Sequence, residues 1–227
     1  MKRQRLLVIT AFLITMEIVA ASLKASAQQK AFEYAGKRET VASGRSRLTP
    51  VRHKGNTNLD QAFQDAISIL SKNNSCSRFF GGPGAAEEVL NHLSLQFQIG
   101  SLRDSKTGIE MSGNFTYFGE TEEHAGYRLF ATATINTRGP FFRAKVFPAE
   151  PYVPPIGSFR PNTREARVLM LLHELAHLVR GRQGSWLIPD DGNLPSVSAQ
   201  NTALIESHCK AQILWLSVAA TNQIASN

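Results

Sequence analysis

Residues 164–180 read Arg-Glu-Ala-Arg-Val-Leu-Met-Leu-Leu-His-Glu-Leu-Ala-His-Leu-Val-Arg. Wound at 100° per residue, Val168, Leu169, Leu171, Leu172, Leu175, Ala176, Leu178 and Val179 cover nearly every side of a helix. A helix that is apolar all round is buried in the middle of its domain. The pattern predicts a helix of about 18 residues, about 27 Å long. Asn162 is the expected N-cap, with Glu165 three positions on completing a capping box, and Gly181 is the expected C-terminal stop.

Inside this aliphatic helix stand His173-Glu174-Leu175-Ala176-His177. Side chains four apart on a helix point the same way, so the two imidazoles can share one zinc ion. Glu174 then lies beside the metal rather than on it, where it can take a proton from water. The competing reading, two core histidines that merely hydrogen-bond, must also accommodate a carboxylate among leucines, where an unpaired charge is very costly.

At these residues the chain resembles the zincin metallopeptidases. The resemblance is strong over Arg164–Arg180 and extends loosely to Asn227 and back to the strands before the helix. It implies a mixed sheet, with an edge strand that binds the peptide substrate, packed on the active helix. It also implies His173 and His177 as metal ligands and Glu174 as general base. The elongated metzincin pattern is not matched: Gly181 comes one place late, and Gln183 stands where a third histidine belongs.

A catalytic zinc takes three protein ligands and a water. Asp190-Asp191-Gly192-Asn193 is a turn-forming loop from which an aspartate could reach back to the metal. Glu206 follows His177 by 29 positions, a spacing that resembles zincins with a glutamate ligand, and His208 is its neighbour. On the last helix Ile205, Cys209, Ile213 and Leu216 form an inward stripe. Glu206 sits at its edge and is also spaced for an i,i+4 pair with Lys210. His208 points away and reads as a packed histidine. The further pattern Asp191-Gly192, Asn201-Thr202 and Cys209 resembles small exported bacterial zincins, which favours Asp191. Glu206 stays open as the alternative third ligand, with Asp190 and His208 behind it. His124, Tyr127, Tyr152 and Arg160 are polar groups within reach of an oxyanion in principle, but each reads better as an ordinary surface residue.

Upstream, Tyr127, Leu129, Ala131, Ala133 and Ile135 alternate with Arg128, Phe130, Thr132 and Thr134, the period of a strand. Shorter strand candidates are 97–102, 114–118 and 142–147, suggesting a small antiparallel meander, followed by a proline-rich connector at 148–161. Before them, Leu59, Phe63, Ala66, Ile67 and Leu70 predict a helix capped by Asn58 and ending near Ser71. Ala86, Val89, Leu90 and Leu93 predict a second, with Pro83 in its first turn. Helices, then strands, then helices make an α+β domain over 58–227.

The start of the chain reads differently. Lys2, Arg3 and Arg5 precede an apolar run from Leu6 to about Ala21, and Ala25-Ser26-Ala27 is a small-x-small site. Together these predict a cleavable signal peptide over 1–27. The run is only roughly 15 residues, against the roughly 20 that span a bilayer, so no stable membrane insertion is expected after cleavage. Residues 28–57 are polar and read as a flexible leader, with one short ordered piece expected at Phe32–Tyr34.

The whole chain of 227 residues carries a formal charge of +7. Removing 1–27 takes away Lys2, Arg3, Arg5 and Lys24 along with Glu17, which leaves +4. So small and scattered an excess makes no footprint for nucleic acid, and that class drops out. A composition of 42% hydrophobic and 19% charged residues excludes collagen-like, disordered and multi-span membrane classes. Export places the only two cysteines, Cys76 and Cys209, in an oxidising compartment, where an even pair is expected to bond. The expectation is therefore a secreted or periplasmic monomer binding one zinc per chain and hydrolysing peptide or protein substrates. The alternative is an exported binding or structural domain that keeps the scaffold without catalysis.

Overall fold

The computed structural model describes residues 56–120, 126–144, 153–181, 184–192 and 194–225, with side chains described as far as Val218. The stretch expected to be a signal peptide (1–27) and nearly all of the expected leader (28–57), together with His124 and Tyr152, lie outside the described residues. The chain runs α1 (Thr57–Leu70), α2 (Ser75–Phe79), α3 (Glu87–Gln96), β1 (Phe97–Gly100), β2 (Ile109–Phe118), β3 (Tyr127–Asn136), α4 (Arg164–Leu178) and α5 (Pro195–Ala225). The α+β order is as read from the sequence.

The fold centres on α4. Ala166, Val168 to Leu172, Leu175, Ala176 and Leu178 are all buried, as the all-round apolar pattern requires. Each fully buried leucine contributes roughly 1.5–3 kcal/mol of hydrophobic stabilisation. Against this helix pack Leu59, Phe63 and Ala66 of α1, Val89, Leu90 and Leu93 of α3, Ala133 and Ile135 of β3, and the Ile205–Cys209–Ile213–Leu216 stripe of α5.

An ion pair fixes α1 to the start of α4: Arg164 donates from Nε and Nη2 to the two carboxylate oxygens of Asp65, both at 2.6 Å. The Cys76–Cys209 disulfide does the same for α2 and α5, with Cα atoms 4.4 Å apart. Closing a 133-residue loop is worth about 4–5 kcal/mol in the chain-entropy model. Ser75 Oγ adds a 2.6 Å bond to the His208 carbonyl one residue away. His208 itself stacks on Phe79 at 4.6 Å and is a packing residue.

The sheet is mixed rather than an antiparallel meander. Its order is β1-β3-β2, with β1 parallel to β3 and β2 antiparallel to it. The connection from β1 forms no hairpin; β1 is left on the far side of β3, and β2 takes the other edge. Asn136 secures the end of that crossover. Its buried side chain accepts from the Leu102 amide and donates to the carbonyls of Asp104 and Thr107. β2 is longer than expected because it runs through a bulge between Ser112 and Phe115. Over the described part of 142–147 there is a turn rather than a strand.

Helix ends also differ from the sequence-based expectation. The N-cap of α1 is Asn56, not Asn58, and its side chain accepts from the Leu59 amide. The residue before α3 is Ala86, with no side-chain cap, and Pro83 lies in the turn ahead of the helix. On α4 Thr163 caps in place of Asn162, accepting from the Ala166 amide. Asn162 instead takes a left-handed backbone (φ 61°), which asparagine tolerates better than most residues. Its carbonyl accepts from Arg167. No glycine cap closes α4: it stops at Leu178, and the chain extends at Val179.

Candidate metal centre

The early end of α4 is what builds the site. Val179 bridges Tyr127 at the start of β3, Arg180 N donates to the Gly126 carbonyl at 2.9 Å, and Arg180 bridges Trp186 across a turn. Capture by β3 on one side and by residues 186–187 on the other takes the last two expected residues, Val179 and Arg180, out of the helix. In return it sends the 188–192 segment back across the side of α4 that carries His173 and His177.

On that side three groups converge. His173 Nε2 and His177 Nε2 are 3.1 Å apart. Asp191 Oδ2 lies 3.0 Å from His173 Nε2, and Asp191 Oδ1 lies 3.5 Å from His177 Nε2. One ligand atom from each of His173, His177 and Asp191 falls within 4.8 Å of the others. His173 Nδ1 meets Thr202 Oγ1 of α5 at 3.0 Å. With the His173 proton on Nδ1, bonded to Thr202, its Nε2 presents a lone pair to the lone pairs of His177 and a carboxylate. Two buried imidazole nitrogens and a partly buried carboxylate facing one point form a group that could hold a metal ion.

Asp191 is held in place by Asn201, whose Nδ2 donates to Asp191 Oδ1 at 2.6 Å and to the Pro189 carbonyl at 2.9 Å. Burial by itself raises its carboxyl pKa. The contacts to His173, His177 and Ser198 outweigh that and hold the carboxyl well below the usual carboxylate range, so Asp191 is an anion. Glu174 has the opposite balance. Burial, reinforced by Asp191 and partly opposed by His173, pushes its carboxyl up to about 7. Among the described residues it has no hydrogen-bond partner, and a half-buried carboxylate poised near neutral pH can both accept and return a proton.

Of the third-ligand candidates, then, Asp191 joins the histidines. Glu206 does not. Its carboxylate accepts from the Ser158 amide at 3.0 Å and from Ser158 Oγ, and pairs with Lys210 at 2.9 Å. Gly157 (φ +55°) makes that contact possible, since a Cβ there would lie 2.1 Å from Glu206 Oε2. Asp190 pairs with Arg128, and His208 lies on Phe79. Tyr127 is buried with its hydroxyl committed to His92 and Glu88, and Arg160 is exposed.

Two groups at the site had no role in the sequence reading. Thr202 was noted only as part of a pattern, and Arg128 only as one of the alternating positions of β3. An arginine on a strand whose other side is core was the available signal.

The chain matches no protein-family model, no curated protein and no solved structure.

Proposed function

We propose that the protein is an exported zinc-dependent peptidase of the zincin type. The observation that carries this reading is the convergence of His173, His177 and Asp191 on one point, with Glu174 beside it. His173, His177 and Asp191 would hold a zinc ion, which when bound would supply Lewis acidity for a scissile carbonyl and lower the pKa of water toward neutrality. Glu174 takes the proton from the attacking water and delivers it to the departing amine. Its raised pKa suits both halves of that task. Asp191 is held in advance by Asn201 and the His173 imidazole by Thr202, which limits the reorganisation needed on binding.

Substrate is a peptide or an unfolded segment of protein. Among the described residues β2 lies at the edge of the sheet, pairing with β3 alone, and its outer edge can accept an extended chain as an added strand. The disulfide is consistent with an oxidising compartment and with the signal peptide read at 1–27. No helix among the described residues is long and apolar enough to cross a membrane.

The test is hydrolysis of an unfolded protein by the purified protein, with and without chelator, beside Glu174→Gln. The expected result is chelator-sensitive activity that the variant loses by about 10²–10⁴-fold while it keeps its zinc. Stoichiometric zinc with no hydrolysis of a diverse peptide library would make the protein a binding domain instead.

A further inference from the structure

His177 differs from His173 in one respect. The Nδ1 of His173 has Thr202, whereas the Nδ1 of His177 is buried and has no hydrogen-bond partner. An imidazole that gives its Nε2 lone pair to a metal carries its proton on Nδ1, and a buried N–H left without an acceptor is costly. Asp190 Oδ1 stands 4.0 Å from that nitrogen.

Asp190 is not a loose surface carboxylate, although its side chain is 62% exposed. Arg128 of β3 donates to both of its oxygens, from Nη1 at 3.3 Å and from Nη2. Arg128 Nε donates to the His177 backbone carbonyl at 3.0 Å. Its guanidinium carbon lies 4.3 Å from the Trp186 ring centre, 5.2 Å from Phe130 and 5.5 Å from Phe115. At 4% exposure the arginine is too enclosed to meet substrate. One side chain thus grips the backbone of a metal-binding histidine and the carboxylate facing that histidine's free nitrogen.

We propose that Arg128 and Asp190 are a positioning pair for the metal centre, in which Asp190, held by Arg128, accepts the Nδ1 proton of His177 when metal is bound. The pair rests on the metal reading above and does for His177 what Thr202 does for His173. It also gives Asp190 a role that is not ligation.

The experiment measures zinc affinity by competition with a chromogenic chelator. It adds the visible spectrum of the cobalt-substituted protein at saturation and the melting temperature of the metal-free protein. The proteins are the wild type, Asp190→Ala, Asp190→Asn, Arg128→Ala, Arg128→Lys and the double alanine variant. Asp190→Ala and Arg128→Ala should each weaken zinc binding about 10–100-fold and shift the cobalt bands. The double variant should be no weaker than the worse single one. Asp190→Asn, which keeps an acceptor oxygen, should recover most of the affinity, while Arg128→Lys should not, because a lysine cannot reproduce the two-pronged grip. Should Arg128→Ala fail to fold, the exposed Asp190 variants carry the test.

Affinities within twofold of wild type, additive losses in the double variant, or lower melting temperatures with an unchanged cobalt spectrum would each overturn the pair. Asp190→Asn as damaging as Asp190→Ala would also overturn it and make Asp190 a ligand. A wild-type protein that takes up neither zinc nor cobalt would overturn the metal centre itself, and the pair with it.

Discussion

Thr202 Oγ1 lies 3.0 Å from His173 Nδ1, so α5 touches the candidate metal-binding group of His173, His177 and Asp191 without being part of it. The contact joins residues 29 apart and orients the imidazole whose Nε2 faces Asp191. Thr202→Val keeps the shape and removes the hydroxyl. Zinc affinity should fall by roughly 10-fold with little change in the melting temperature of the metal-free protein. Unchanged affinity in a chelator-competition titration would show that the hydroxyl does not orient the ring.

The metal itself makes a simpler prediction. Elemental analysis of the purified protein should find about one zinc per chain, and His173→Ala or His177→Ala should abolish it, since two ligands rarely retain zinc. Full zinc occupancy in the double alanine variant would place the metal elsewhere.

Glu206 predicts a pH dependence of stability. Burial raises its pKa, but the hydrogen bonds from Ser158 and Lys210 prevail and leave it below the usual value. A carboxyl with a lowered folded-state pKa stabilises the fold above its unfolded pKa, about 4.3. The contribution disappears as pH falls through the lower folded value. Glu206→Gln should therefore be less stable than wild type at neutral pH by about 1–3 kcal/mol, with the gap closing below about pH 4. Denaturant melts at pH 7 and pH 3 measure it. An equal gap at both would assign the loss to packing.

The disulfide should dominate the stability of the α2–α5 corner. Both sulfurs are buried, with Cys76 and Cys209 fully enclosed. Cys76→Ser/Cys209→Ser should cost about 2–5 kcal/mol by chemical denaturation. Because Cys209 sits two turns beyond Thr202 on the same helix, zinc affinity should weaken as well. A stability loss with unaltered zinc binding would show that the first turns of α5 hold their place without the bridge.

The Arg164–Asp65 pair fixes α1 to the base of the ligand helix, with Asp65 buried and Arg164 about one-third exposed. Asp65→Ala should cost about 2–3 kcal/mol, less than a fully buried pair because solvent reaches the arginine. The candidate metal site lies at the other end of α4, so zinc affinity should change less than twofold. A large loss of affinity would mean that α1 shapes the site.

Local periodicity determined a good deal of this molecule before any coordinates. Eight apolar residues around one helix required α4 to be central, and two histidines on one side of it required their imidazoles to meet. Both follow from 3.6 residues per turn. The period-two run at 127–136 required a strand, and the stripe ending at Leu216 required α5 to pack with Cys209 inward. Two cysteines in a chain read as exported left a single pairing. Tertiary structure alone decided the rest, because each remaining question turned on groups distant in sequence competing for one another. Asp191 and Glu206 were both within reach of the histidines along the chain. Glu206 was claimed by Ser158, 48 positions earlier, whose loop can approach only over Gly157. β1 lies parallel to β3, and the segment leaving it is tied down by Asn136 from the end of β3, a pairing that no alternation within a strand reports. The last two expected residues of α4, Val179 and Arg180, were given up to bridges with Tyr127 and Trp186, and with them went the glycine cap. Arg128, outward by alternation, was enclosed by Trp186 and drawn to Asp190, since a guanidinium can be buried only where a partner arrives from elsewhere in the chain to meet it.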